Sequence, residues 1–302
     1  MHNNKLICTF AQLKTKKLMK YLITSMLLVA TATLFAQQQN PTDWELSGLK
    51  AKVKTMRSIP YLVTAQGKSF VKSAVDADLD TVNKIANLEN LQKDFNPKGF
   101  LSQTRFFFKN GDLYSRMDYY YNPQGQLFET RYNSDKTLYV YNPQGYLIKD
   151  ATYSPGGFLK SHYTYQVNAE GQILKEETYR ANQLESVVTY TYNKQGDPLE
   201  MRYSDAQGNL LQIVKNKFNK QHQLLSNRVY DKDNNLVSTT TKKYNAKGDC
   251  VKLQAETKLP KKQKNVATYE YKYDTQGNWI AKTTFINGDP RQIIERTFTY
   301  YE

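Results

Sequence analysis

Apolar and polar positions alternate one by one through most of the chain. Leu159, Ser161, Tyr163, Tyr165 and Val167 interleave with Lys160, His162, Thr164 and Gln166. Val251, Leu253, Ala255 and Thr257 interleave with Lys252, Gln254, Glu256 and Lys258, and Ile294, Arg296, Phe298 and Tyr300 with Glu295, Thr297 and Thr299. A period of two sends alternate side chains to opposite sides of an extended backbone, so each segment predicts a strand with one buried and one wet face.

The segments are separated by a recurring turn. YNPQGQL, beginning at Tyr121, returns as YNPQGYL at Tyr141, and variants begin at Phe95, Val167, Tyr192, Phe218, Tyr244 and Tyr273. The glycine position falls at 99, 125, 145, 171, 196, 222 (a histidine), 248 and 277, so one period runs through two thirds of the chain. The spelling follows from turn chemistry. Asn or Asp at the first position bonds its own backbone two residues on, Pro presets φ, and Gly accepts a left-handed conformation, giving a type I turn closed by a bulge. Weaker reversals lie between: Asn110-Gly111, Ser134-Asp135, Pro155-Gly156-Gly157, Ala181-Asn182, Ala206-Gln207-Gly208, Asn234-Asn235, Lys261-Lys262 and Asn287-Gly288. About sixteen turns imply sixteen or seventeen short strands.

The fold class expected is therefore all-β, an antiparallel meander of hairpin repeats. So long a sheet cannot leave its Leu and Tyr face in water, and the accumulating twist favours curling into a barrel-like or spiral sheet over a two-layer stack. An outer-membrane barrel is disfavoured. Its strands need about 9–11 residues and a lipid-facing apolar row, whereas strands here are roughly six to eight long with Lys, Glu, Arg and Thr on the second face. Before the array, Leu49–Met56 predicts a further strand. Leu79, Val82, Ala86 and Leu88 predict a short helix over residues 79–92, with Asp78 as its cap.

One segment breaks the pattern. Lys14, Lys16, Lys17 and Lys20 precede an apolar run from Tyr21 to Ala36, which is too short for a membrane anchor and reads as a secretory signal peptide cut after Ala36. Cys8 precedes the run, which argues against a lipid-anchored cysteine, and Met19-Lys20 is the start expected for such a signal. The organisation expected is a signal peptide at 1–36, a strand and short-helix region at 37–94, and the repeat domain at 95–302. The localisation expected is export to the periplasm, cell surface or medium. Removal of residues 1–36 lowers the net charge from +14 to +9 and leaves Cys250 without a disulfide partner.

Candidate chemistry is sparse. His222 and Cys250 suggest a base and nucleophile, but His222 stands at a turn glycine position and Cys250 where other repeats carry Leu or Ile, so both read as structural. His222→Gly is then expected to leave stability unchanged or slightly raised. Asp231, Asp233 and Asn235 open like a calcium loop, yet Leu236 and Lys242 occupy the positions that need Gly and Glu. No catalytic residue, metal or cofactor is expected, and the protein reads as a non-enzyme. Lys215, Lys217, Lys220, Lys242, Lys243 and Lys247 form a candidate basic patch for an anionic envelope polymer or glycan, against the plainer reading of a solvated sheet face. No specific nucleic acid or membrane span is implied. Rows such as Tyr190 and Tyr192, or Tyr269, Tyr271 and Tyr273, read as core packing rather than sugar platforms.

The turns Tyr273-Asp274-Thr275-Gln276-Gly277 and Tyr244-Asn245-Ala246-Lys247-Gly248 resemble the YD repeats of Rhs-type proteins. With the leader and the Gly48–Lys54 opening, the chain looks like small exported Rhs-repeat-like proteins of Gram-negative envelopes. The resemblance covers residues 95–302 and implies a curled β-sheet rather than an activity. The leading functional reading is a protein that binds or scaffolds at the bacterial cell envelope. The alternatives are a carrier whose curled sheet encloses an apolar ligand, and a hydrolase with an unrecognised site.

Overall fold

A computed structural model describes residues 41–66, 69–76, 89–259 and 261–302. The leader and most of the segment expected to be helical lie outside these residues; the last part of that segment, Leu91 and Gln92, is strand. One short helix, α1 (Asp43–Leu46), precedes β1 (Val53–Gln66), β2 (Ser69–Val75) and β3 (Leu91–Phe95). The strands that follow are β4 (Leu101–Phe107), β5 (Leu113–Tyr121), β6 (Leu127–Tyr132), β7 (Asp135–Tyr141), β8 (Leu147–Tyr153), β9 (Leu159–Val167) and β10 (Ile173–Arg180). Next come β11 (Gln183–Tyr192), β12 (Pro198–Asp205), β13 (Leu210–Phe218), β14 (Leu224–Asp231) and β15 (Leu236–Tyr244). The last four are β16 (Cys250–Thr257), β17 (Gln263–Tyr273), β18 (Trp279–Ile286) and β19 (Asp289–Tyr300).

From β3 to β19 each strand pairs antiparallel with the next, so all sixteen expected reversals connect neighbours. β1 then closes the ring. One edge pairs with β19 from Val53↔Tyr300 to Leu62↔Gln292, and the other pairs with β3 from Thr55↔Asp94 to Ser58↔Leu91. The result is a closed barrel of 18 strands, β1 with β3 to β19. β2 stands outside the ring as a flap on the far half of β1, opposite Tyr61–Gln66. Closure decides between the barrel and the open spiral, and it draws the N-terminal segment into the same sheet as the repeat array.

The main turns have the expected construction. Asn142 Oδ1 accepts from Tyr146 N at 2.9 Å, and Gly145 N donates to Asn142 O at 2.9 Å with φ at 87°. The register slips one residue after each main turn, as between Val140 and Tyr141 opposite Leu147. His222 takes the glycine place with φ 59°, and Asn234 does the same in the weaker turn with φ 63°.

The tyrosine of the motif has a further role. Tyr141 Oη donates to Leu127 O at 2.8 Å, Tyr192 to Ile173 O at 2.8 Å and Tyr244 to Leu224 O at 2.9 Å. Each hydroxyl reaches back to the first residue after the preceding main turn, tying one repeat to the last. Each such bond contributes about 1 kcal/mol. In the final repeat Tyr271 makes it, to Cys250 O at 2.8 Å. The first member, Tyr121, instead donates to Asp43 Oδ2 of α1 at 3.0 Å, so the helix is bonded to the array.

Candidate functional site

Following paired residues around the ring separates two faces. Phe298, Met56, Lys93, Thr104 and Met117 pair in succession on one face; Thr297, Arg57, Gln92, Arg105 and Arg116 do so on the other. The first face holds the tyrosine rows and nearly all the buried side chains, including Met56, Val188, Tyr190, Met201, Tyr203, Val214 and Val229. It is the inside of the barrel. The outer face carries cations beside carboxylates: Arg105–Asp94 at 2.8 Å, Arg116–Asp118 at 2.9 Å, Lys175–Glu177 at 2.6 Å and Arg202–Glu200 at 3.0 Å. The same face also exposes Tyr120 and Val140, and β11, β17 and β19 are longer than the roughly six to eight residues expected.

A round ring of eighteen strands would enclose more space than side chains fill. At a spacing of about 4.8 Å and a tilt of about 40°, a round ring of this size is about 35 Å across between backbones. Two apolar clusters line parts of it. One gathers Val188, Tyr190, Met201, Tyr203, Val214 and Val229; the other gathers Val53, Met56, Phe95 and Leu101 with Trp44 over them. Each cluster joins neighbouring stretches of wall rather than spanning the lumen. Much of the remaining inner surface, Tyr269 and Tyr271 among it, is only half-buried.

Two charged arcs interrupt the aromatic lining. On β8 and β10, Asp150 accepts from Tyr165 Oη at 2.6 Å and Glu176 from Tyr190 Oη at 3.2 Å, and both carboxyls are buried. Burial pushes Asp150 up to about 6, against the opposing effect of the Tyr165 bond. Burial likewise pushes Glu176 up to about 7, and the nearby Asp150 charge adds to it. On β18, β19 and β3 stand Lys282, Arg296 and Lys93. Burial lowers all three, Arg296 to about 10, while Glu89 acts in the opposite direction on each. The Arg296 guanidinium lies 3.4 Å from the Trp279 ring centre, and Lys282 Nζ lies 5.3 Å from it. Glu176 and Arg296 are nine strands apart in the 18-strand ring, so the arcs face each other across the lumen.

The six lysines of the sequence-derived patch do not share one surface. Lys215 and Lys217 lie on the outside of β13, and Lys243 on the outside of β15. Lys242 points inward, while Lys220 and Lys247 sit in main turns at one rim. Lys215 is 3.6 Å from Glu200 and over the Tyr230 ring, and Lys247 Nζ is 4.0 Å from the Tyr273 ring centre. Cys250 is half-buried at the post-turn position, with its thiol donating to Lys252 O at 3.4 Å. His222 Nδ1 lies 2.7 Å from Asp197 Oδ1, a contact between adjacent repeats that the turn pattern did not foretell. No group of three or more metal-ligating side chains occurs among the described residues.

A family model described only as an uncharacterised protein matches residues 209–300. No curated protein matches the chain. Among solved structures, a porin-like protein from Bacteroides uniformis is 12% identical with a TM-score of 0.42, over 83% of this chain and 98% of that one. The TcdB2–TccC3 structure without its hypervariable C-terminal region is 11% identical with a TM-score of 0.23, over 74% of this chain and 14% of that one. A putative outer membrane lipoprotein-sorting protein domain from Vibrio parahaemolyticus is 8% identical with a TM-score of 0.17, over 83% of this chain and 87% of that one. Likeness at these scores assigns neither ligand nor activity to the chain.

Proposed function

We propose that this protein is an exported carrier of the bacterial cell envelope that holds a small apolar or amphipathic ligand inside its closed barrel. The observation that carries the reading is the contrast between the two faces of one sheet. The outer face matches cations with carboxylates, whereas the inner face presents half-buried tyrosines and apolar clusters around a ring of eighteen strands, a number that leaves a lumen when the ring is round. A concave, largely apolar wall with a few placed polar groups is the general form of a small-molecule site. The apolar leader at residues 21–36 supports export.

Native mass spectrometry of the purified protein tests the proposal. A bound mass released by organic extraction is the expected result, together with uptake of the neutral probe N-phenyl-1-naphthylamine. Protein that carries no extra mass and takes up no probe overturns it. Scaffolding on an anionic polymer keeps one support, since Lys220 and Lys247 project from adjacent main turns at the same rim. That reading requires retention on heparin that falls steeply with salt and is lost on Lys220→Gln/Lys247→Gln.

A further inference from the structure

We propose that Lys93, Lys282 and Arg296, with Ser58 between them, form an anion site on the lumen wall that seats the carboxylate, sulfonate or phosphate head of an amphiphilic ligand. The proposal rests on the lumen being a ligand site and adds the chemistry of the head group. The four residues occupy consecutive strands of the ring. Ser58 pairs directly with Arg296, Lys93 pairs with Met56 two residues along β1, and Lys282 pairs with Ile294 two residues along β19. All therefore belong to one continuous patch of the inner face.

The cations of this patch make no direct ion pair among the described residues. Many cations of the outer face lie within ion-pair distance of a carboxylate. Among the described residues, Lys93, Lys282 and Arg296 have no such partner; Glu89 acts on all three from a longer range, with Asp43 acting also on Lys93 and Asp249 on Arg296. Three cations without a carboxylate in ion-pair contact stand on a half-buried wall, where an anion is attracted more strongly than on an open surface. Two donors of the patch are also unsatisfied. Ser58 Oγ, in a fully buried residue, and Arg296 Nε are buried without hydrogen-bond partners. Stacking on Trp279 fixes the plane of the guanidinium, which suits it for forked recognition of a planar or tetrahedral oxyanion.

Neighbouring apolar groups complete the site. Ile294 and Met56 flank the cations, and Tyr271 packs edge-on against Trp279 with ring centroids 6.0 Å apart. A ligand held by its head at Arg296 would lay an apolar body along these rows. Asp150 and Glu176 face the site from across the lumen and oppose binding of the head on that side.

Decanoate and decanol, equal in chain length and different in head charge, serve as probes in calorimetric titration at pH 8 and low salt. Decanoate is expected to bind at least about tenfold more tightly, the scale of one charge-assisted hydrogen bond. Lys93→Gln/Lys282→Gln/Arg296→Gln should bring the two to parity, while Lys215→Gln/Lys217→Gln on the outer face leaves the ratio intact. Decanoate should change the tryptophan fluorescence of the parent and not that of Trp279→Phe. If the triple variant fails to fold, the parent's decanoate-to-decanol ratio and the Trp279→Phe comparison decide the matter. Equal binding of both probes to the parent overturns the anion site and leaves the lumen reading standing. Failure of both to bind overturns the lumen reading, and this proposal with it.

Discussion

Replacing His222 by glycine separates two contributions that the turn motif alone would merge. At φ 59° a side chain with a Cβ costs about 1 kcal/mol relative to glycine. Glycine's larger loss of chain entropy on folding, about 0.5–1 kcal/mol, offsets most of that gain. Were this all, stability would stay level or rise slightly, as the sequence pattern suggests. The structure adds the bond from His222 Nδ1–H to Asp197 Oδ1 at 2.7 Å. Asp197 is 1% exposed, and its other oxygen, Oδ2, accepts from Asn193 Nδ2 at 2.8 Å. Removing the imidazole leaves Oδ1 of a buried carboxylate without its side-chain donor, a loss of about 1.5–3 kcal/mol. The imidazole is itself half-exposed, so water reaches the vacated place and the lower end applies. His222→Gly should therefore destabilise by about 1–2 kcal/mol. With a urea m-value of about 2–3 kcal/mol/M, the midpoint should fall by about 0.5 M, followed by circular dichroism. A cycle with Asp197→Asn should return a coupling of about 1 kcal/mol. A midpoint equal to or above the parent's, with no coupling, would refute this account.

Gly157→Ala and Gly171→Ala both place a Cβ at φ 79°, but only at 171 would it run into a ring, that of Tyr146. The first should cost about 1 kcal/mol and the second at least twice that in urea midpoint; equal losses would deny the contact. Tyr192→Phe removes the bond to Ile173 O and should cost about 1 kcal/mol, a loss absent if that carbonyl finds another donor. Asp150 and Glu176 have folded values raised by burial to about 6 and about 7, so the folded state holds these protons more tightly than the unfolded chain. The stability they add is complete below about pH 4 and is lost as pH rises through those values, on the order of 2–3 kcal/mol per group. Glu176→Gln should flatten the fall in urea midpoint between pH 5 and 8, and an unchanged slope would exclude that carboxyl. Asn278→Ala deletes bonds to both Lys50 N and Lys50 O, at 2.7 and 2.8 Å. It should accelerate hydrogen exchange in β1 and β19 ahead of β11 to β13; uniform acceleration would count against a local role in closure.

Strand alternation and turn chemistry were legible because each is local. A period of two and the spacing of Asn to Gly are properties of a few consecutive residues, so the reversals fall where the pattern puts them. Closure was not legible. It depends on Val53–Leu62 finding Gln292–Tyr300 across the whole chain, and nothing in either segment names the other. The inner charges left a readable trace. Arg296 stands in the row of Ile294, Phe298 and Tyr300, on the parity that faces inward, and Lys282 shares the inward parity of Thr284. A charge on the apolar parity of a strand is the signal that could have found them. The lysine patch relied on proximity in sequence, which in a strand sends Lys242 and Lys243 to opposite faces.

The number of strands links the repeat to the proposed function. A barrel of eight strands can fill its interior with side chains and remain a core, whereas eighteen cannot. The inner wall here accordingly carries Ser58, Thr104, Ser115, Thr130, Gln212 and Asn216, polar residues that would each cost free energy if sealed in a dry, apolar core. Some are satisfied along the wall: Asn216 donates to Pro198 O at 3.0 Å, and Thr130 lies 3.2 Å from Tyr139 Oη. Others, such as Ser58 and Gln212, retain atoms without partners. Such polar groups among the buried side chains of the wall each need a partner, which apolar packing would not require. The tyrosine hydroxyls join repeat to repeat along the wall and draw nothing from the opposite wall. Stabilisation between neighbouring repeats is what the proposed carrier would need to keep its centre available for a guest.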